Sequence, residues 1–132
     1  MSEDAAYEKF IKVYRKSEVV FEENSIGNEM FIVCSGKVKI YTEPKTGRRT
    51  VLAVLKPGQH FGEMTLINGS PRSATAVAMQ DNTKLVVLDK AKFRYLIQQQ
   101  PEFAFAMMET ISQRLRKANL QLAQAKAKRQ RR

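Results

Sequence analysis

The stretch Phe61–Ala78, FGEMTLINGSPRSATAVA, sets a carboxylate at Glu63 and a guanidinium at Arg72 on either side of the tight turn Gly69-Ser70-Pro71. An anion in a largely apolar cavity needs backbone N–H groups from a turn and one arginine that can donate two parallel hydrogen bonds. The segment GEMTL, Gly62 to Leu66, can form a short helical turn whose N–H groups face a ligand, and Gly62 lets the backbone come close. Pro71 stiffens the entry to the next strand and aims Arg72 back at that turn, while Ser73, Ala74, Thr75 and Ala76 are small enough to leave room. Glu63 repels a phosphate but suits a hydroxyl donor. Together these residues fit a ligand with a negative phosphate and a free hydroxyl. An internal Glu63–Arg72 ion pair closing a surface loop fits the spacing equally well.

Other chemistries find less support. Metal sites on small β-rolls gather two or three histidines and a carboxylate, whereas this chain has one histidine, His60, with Cys34 far from it in sequence. His60 reads as a loop or core-edge residue, and Cys34, in the apolar run MFIVC, as a buried reduced thiol. Nothing pairs a nucleophile with a base. No catalytic residue and no metal ligand is expected, and the chain does not read as an enzyme.

The elements that must position these residues fall into three zones of one 132-residue domain. Residues 1–16 carry Tyr7, Phe10, Ile11 and Tyr14 at helical spacing, with Ser2 as N-cap, which predicts a short amphipathic helix over 3–15. Residues 17–89 read as short strands, EMFIVC, KVKIYT, TVLAVL, TAVAMQ and KLVVLD, separated by the turn signals Gly36, Pro44–Gly47, Pro57-Gly58 and Asp81-Asn82. In KVKIYT, Val38 and Ile40 form a buried face and Lys37, Lys39 and Tyr41 a wet one. Residues 90–132 predict a short helix that halts before Pro101 and a longer one that starts there. In the longer helix Met108, Ile111, Leu115, Ala118, Leu122 and Ala125 keep an a/d seam for about two and a half heptads, which points to a helix-to-helix homodimer. The fold class is mainly β: an antiparallel β-roll, or jelly roll, with an N-terminal helix and two C-terminal helices, the last one long.

Phe61–Ala78 resembles the phosphate-binding cassette of cyclic nucleotide-binding domains, F-G-E-[L/M]-x-L, a short loop, then P-R-x-A, here FGEMTL, INGS, PRSA. The likeness runs through SEVVFEENSIGNEMFIVCSGKVKIY, GRRTVLAVLKPGQHFGE and LDKAKFRYLIQQQPEFA in the family's order. It implies the same β-roll, with cassette 61–76, and no metal. It implies that Arg72 pairs with the exocyclic phosphate oxygens. Phe61, Gly62, Met64, Thr65 and Leu66 would shape the phosphate turn, with Ser73 and Ala74 contributing from the other side. Glu63 would take the ribose 2′-hydroxyl, and Ile40 and Leu52 would be apolar walls. Ser17 and Glu23-Asn24 stand where many family members place glycine, which puts the turn geometry there in doubt. In the bacterial catabolite-activator-like branch the long helix offers a Thr-Ser pair to adenine; aligned on Pro101, this chain offers Ala118-Asn119, of which Asn119 can bond a base across a dimer. The resemblance favours cAMP over cGMP.

The net charge of +10 is concentrated: no acid follows Glu109, while eight cations lie from Arg114 to Arg132, leaving +2 for residues 1–113. Nucleic acid binding through this basic tail is the alternative function, less favoured because no aromatic residue is interleaved with the charges. No apolar run reaches the ~20 residues of a membrane helix, and the acidic start MSEDAAYEKF is unlike a signal peptide, so a cytoplasmic location is expected. A stand-alone receptor for a cyclic nucleotide is the leading expectation, signalling through its C-terminal helix to an unknown downstream protein. No helix-turn-helix pattern follows the long helix.

Overall fold

The computed structural model describes residues 8–45 and 47–130. Among the described residues, eight strands form two four-stranded antiparallel sheets. They are β1 (Ile11–Tyr14), β2 (Val19–Phe21), β3 (Met30–Ser35), β4 (Val38–Thr42), β5 (Thr50–Leu55), β6 (His60–Phe61), β7 (Thr75–Ala78) and β8 (Thr83–Leu88). One sheet runs β1-β8-β3-β6 and the other β2-β7-β4-β5, so sequence neighbours fall in opposite sheets except for the β4–β5 hairpin, a jelly-roll arrangement. Their inner faces supply Tyr14, Phe31, Val33, Val38, Leu55, Phe61, Ala76, Ala78 and Leu85 to one core. The helices are α1 (Glu63–Asn68), α2 (Lys90–Gln99) and α3 (Pro101–Gln130). The chain divides into two compact units, Met1–Tyr95 and Leu96–Arg132.

The predicted N-terminal helix is replaced by strand where the structure describes it. Residues 1–7 lie outside the described residues; Glu8–Phe10 is a 3-10 turn, and Ile11–Tyr14 pairs antiparallel with β8, Ile11 opposite Val86 and Tyr14 opposite Thr83. The roll therefore begins at residue 11, not 17. Four residues are too few to separate a period of 3.6 from a period of 2, and β-branched Ile11 and Val13 favour the strand. Tyr14 is buried in the core, and Phe10 meets the Tyr95 ring edge-on at 6.0 Å.

Two further expectations are corrected by β-bulges. Cys34 is exposed, because β3 shifts register between Val33 and Ser35 and the cysteine is the extra residue at the shift. Tyr41 is buried instead of wet, next to a second shift where Ile40 pairs with Ala53 but Tyr41 with Val51. The Arg49 guanidinium lies 4.1 Å from the Tyr41 ring centroid and covers it. Ser17 and Asn24, where glycine was expected, adopt left-handed backbone at φ 70° and 68°. The turns keep their geometry without glycine, and the Ser17 N–H still donates to Ala78 O at 2.8 Å.

In the second unit, α3 is one uninterrupted helix of 30 residues, about 45 Å long. Pro101 sits at its first turn, where its missing N–H costs nothing. Met107 is buried, whereas Met108, Leu115 and Leu122 of the expected seam are each more than half exposed. Among the described residues no helix is long and apolar enough to cross a membrane.

Candidate functional site

The cassette is assembled by two left-handed glycines. Strand β6 ends at Phe61, Gly62 turns the chain at φ 78°, α1 runs six residues, and Gly69 ends it at φ 73°, donating its N–H to Thr65 O at 2.9 Å. Thr65 Oγ1 donates to Ser70 O at 2.7 Å, so its hydroxyl closes the loop from inside. Beyond Pro71 the chain is tied to the loop after β2: the Arg72 N–H donates to Ser25 O at 2.8 Å, and the Asn24 N–H to Arg72 O at 2.7 Å. These backbone bonds fix the root of the arginine before its side chain makes any contact.

The Arg72 side chain is buried, 5% exposed, against the cassette. Nη1 donates to Gly62 O at 3.0 Å and Nη2 to Glu29 O at 2.7 Å. The guanidinium lies 4.2 Å from the Phe21 ring centroid, and Phe21, Phe31 and Phe61 form a cluster of rings beside it. Nε is fully buried with no hydrogen-bond partner among the described residues. No carboxylate among them lies within ion-pair distance of the group. Burial draws its pKa below the ordinary arginine range, and the more distant Glu29 charge opposes that shift. A guanidinium has five N–H donors, and here two go to neutral carbonyls. Such a cation is desolvated but not neutralised, the condition under which an anion is welcome.

Two glycines make that position possible. A Cβ at Gly27 would stand 2.7 Å from Arg72 Nη2, and one at Gly62 would stand 2.8 Å from Nη1. The guanidinium thus fills a cradle that any other residue at 27 or 62 would narrow. A cavity of about 280 Å³ opens beside α1, lined by Gly27, Asn28, Thr65, Leu66, Gly69 and Lys90.

Glu63, the first residue of α1, is buried, with Oε1 2.8 Å from His60 Nδ1. The two charged residues of the cassette therefore engage different neighbours, the arginine backbone carbonyls and the carboxylate an imidazole. Of the other expected site residues, Phe61, Leu66 and Ala74 are buried around the cassette, while Met64 and Ser73 are exposed. Ile40 packs on the core and Leu52 lies 57% exposed at the β5 bulge. Asn119 is an exposed residue of α3. Sequence reasoning missed Phe21, Gly27, the Glu29 carbonyl and His60. Only Gly27 and His60 left any mark in residue type; a backbone carbonyl leaves none. Among the described residues, no group of three or more His, Cys, Asp or Glu side chains is placed to hold a metal ion.

Comparison with known proteins places this geometry. The family model described as "Cyclic nucleotide-binding domain" matches residues 11–100. The cyclic AMP receptor protein of Thermus thermophilus is 35% identical over 111 residues, covering 84% of this chain and 51% of that protein. A crystal structure of Thermus thermophilus catabolite activator protein superposes with a TM-score of 0.79 at 35% identity, covering 90% of this chain and 56% of that one. Human cGMP-dependent protein kinase 2 is 29% identical over 89 residues, covering 66% of this chain and 12% of the kinase. The chain spans about half the length of the Thermus and mycobacterial regulators it matches.

Proposed function

The chain belongs to the cyclic nucleotide-binding domain family, and from that premise we propose that it is a cytoplasmic receptor for a cyclic mononucleotide, with cAMP preferred to cGMP. The observation that carries this reading is the buried Arg72 guanidinium, whose side-chain hydrogen bonds among the described residues go only to carbonyls and whose Nε has no partner among them. A cyclic phosphodiester supplies the missing negative charge. Gly62 and the first turn of α1 bring backbone N–H groups to the same phosphate, and Glu63 accepts from the ribose 2′-hydroxyl. The preference for cAMP rests on the 35%-identical relative being a cyclic AMP receptor; a kinase named for cGMP also matches, at lower identity. Asn119 carries both a donor and an acceptor and reads the base from a partner's helix in a homodimer formed through Met108, Leu115 and Leu122. For the ligand to signal through α3, it must bind one arrangement of that helix better than another, and a base contact provides the difference.

Isothermal titration of the whole chain with cAMP and cGMP tests the reading, with Arg72→Ala beside the wild type. Removing one partner of a buried charge pair costs roughly 3–5 kcal/mol, or two to three and a half decades in affinity. Absence of binding at millimolar nucleotide, or a loss below fivefold in Arg72→Ala, refutes it.

A further inference from the structure

We propose that residues 116–130 of α3 form a docking surface for double-stranded DNA, held by phosphate contacts without regard to base sequence. The inference stands apart from the receptor reading and uses no residue of the cassette.

Every residue from 112 to 130 is exposed, and the stretch holds no acid. Arg116, Lys117, Lys126, Lys128 and Arg129 have no ion-pair partner among the described residues. A helix that needs only solvation mixes its signs, because acid–base pairs three or four apart support it and like charges such as Lys126 and Arg129 work against it. Lys128 and Arg129 can be credited to the helix dipole, which acts within the final turn. Arg116 and Lys117 lie about three turns earlier, beyond that effect.

The placement of the charges selects the partner. At about 100° per residue, Lys117 and Lys128 fall on one side of α3, and Arg116 and Lys126 on the roughly opposite side. A flat anionic surface, whether lipid headgroups or an acidic protein face, meets only one side of a helix. The major groove of B-form DNA, about 12 Å wide, admits an α-helix and flanks it with phosphates on both sides. The major groove of A-form RNA is too narrow for that. Single strands are held by stacking on aromatic side chains, and no aromatic residue follows Phe105. The seam ends to the same effect: the three-four spacing after Ala125 falls next on Arg129, so a cation takes the apolar position. Two helices paired through Leu115 and Leu122 are there pushed apart, toward phosphate.

The test is fluorescence anisotropy of a labelled duplex of about 30 base pairs with the whole chain over a salt series. Neutralising about five phosphates gives a slope of log affinity against log salt near −4.5, or roughly a 500-fold loss for about a fourfold rise in salt. Duplexes of shuffled sequence should bind alike. Replacing Lys126, Lys128 and Arg129 together by Gln should flatten the slope by about 2.7, and replacing Arg116 and Lys117 by about 1.8. Replacing Arg48 and Lys56, exposed cations of the roll, should leave it unchanged. No binding at about 50 mM salt, or α3 variants with the wild-type slope, overturns the inference. So does tighter binding to a single strand of the same length, or to phosphatidylserine–phosphatidylcholine vesicles, than to the duplex. In the wild type itself, the amide signals of residues 116–129 should move when duplex is added. Movement confined to the roll overturns the inference whether or not the variants keep their helix.

Discussion

Gly27→Ala separates the anion site from the fold more cleanly than any change within the cassette. The added methyl would stand 2.7 Å from Arg72 Nη2, 3.2 Å from Nε and 3.3 Å from Cζ, whereas ordinary contact begins near 3.4 Å. Nη2 must then retreat by about 0.7 Å, which carries it out of its 2.7 Å bond to Glu29 O unless the whole guanidinium tilts. Gly27 is not in left-handed backbone, and the colliding atoms are the far end of a flexible side chain. The fold can therefore absorb the change at a cost of about 1 kcal/mol or less. The ligand cannot. Losing one charge-assisted bond and the alignment of the donor fork removes about 1.5–3 kcal/mol of binding, or roughly 10- to 150-fold in affinity. Gly62→Ala is a poorer probe, because its φ of 78° adds backbone strain to the same collision. The assay is calorimetric titration with cAMP beside thermal unfolding without nucleotide. Binding within twofold of wild type would show that the guanidinium is not the fixed anion donor. A large drop in unfolding temperature would show that Gly27 serves the fold instead.

Three other outcomes follow from particular residues. Burial, reinforced by the charges of Glu29 and Glu18, pushes the Tyr14 pKa up to about 12. The unfolded chain ionises near 10 while the native state keeps its proton, so stability is intact below pH 10 and falls toward pH 12, by an amount on the order of 2 kcal/mol; Tyr14→Phe should flatten this part of a urea-midpoint profile, and an unchanged profile would contradict it. Ser17→Gly relieves a left-handed serine at about 1–2 kcal/mol and adds about 0.5–1 kcal/mol of chain entropy, so the unfolding temperature should rise by roughly 2–4 °C, and a fall would refute the strain. If the proposed homodimer forms through α3, glutamate at both Leu115 and Leu122 places like charges on its seam of exposed leucines, and light scattering should report a dimer for the wild type and a monomer for the variant; a dimer in both would remove α3 from the interface.

What the sequence disclosed depends on how far apart the cooperating residues lie. Glu63, Arg72 and the glycines Gly62 and Gly69 beside them are near neighbours, and their types alone specify a turn with two opposite charges. Apart from the Gly62 carbonyl, the groups that hold the guanidinium come from residues 21 to 29, more than forty positions earlier, and one of them is a carbonyl that every residue possesses. Strand register hides its exceptions in the same way. The bulges that expose Cys34 and accompany the burial of Tyr41 are decided by how two strands meet, not by the alternation within either. The helical spacing of Tyr7, Phe10, Ile11 and Tyr14 misled for a related reason, since pairing with β8 overrides a weak local preference. The short helix ending before Pro101 and the long one beginning there were legible because proline acts locally.

The two charged residues of the cassette are compensated differently, and that difference divides their work. Glu63 already has a partner in His60, so its carboxylate is satisfied before any ligand arrives, and a hydroxyl adds only an increment. Arg72 has carbonyls and aromatic faces but no carboxylate at ion-pair distance among the described residues, and on the proposed reading its burial cost remains partly unmet until a phosphate comes. Affinity should therefore follow the phosphate and selectivity the hydroxyl. A ligand that neutralises the buried cation binds only the native state, so it also stabilises the roll by an amount that grows with its concentration. On this reasoning cyclic phosphate carried by a simple alcohol still raises the unfolding temperature of the chain, while a neutral nucleoside with an intact ribose does not. If adenosine stabilised the protein as well as cAMP does, the division between the two side chains would be wrong, and the buried arginine would be a piece of the core.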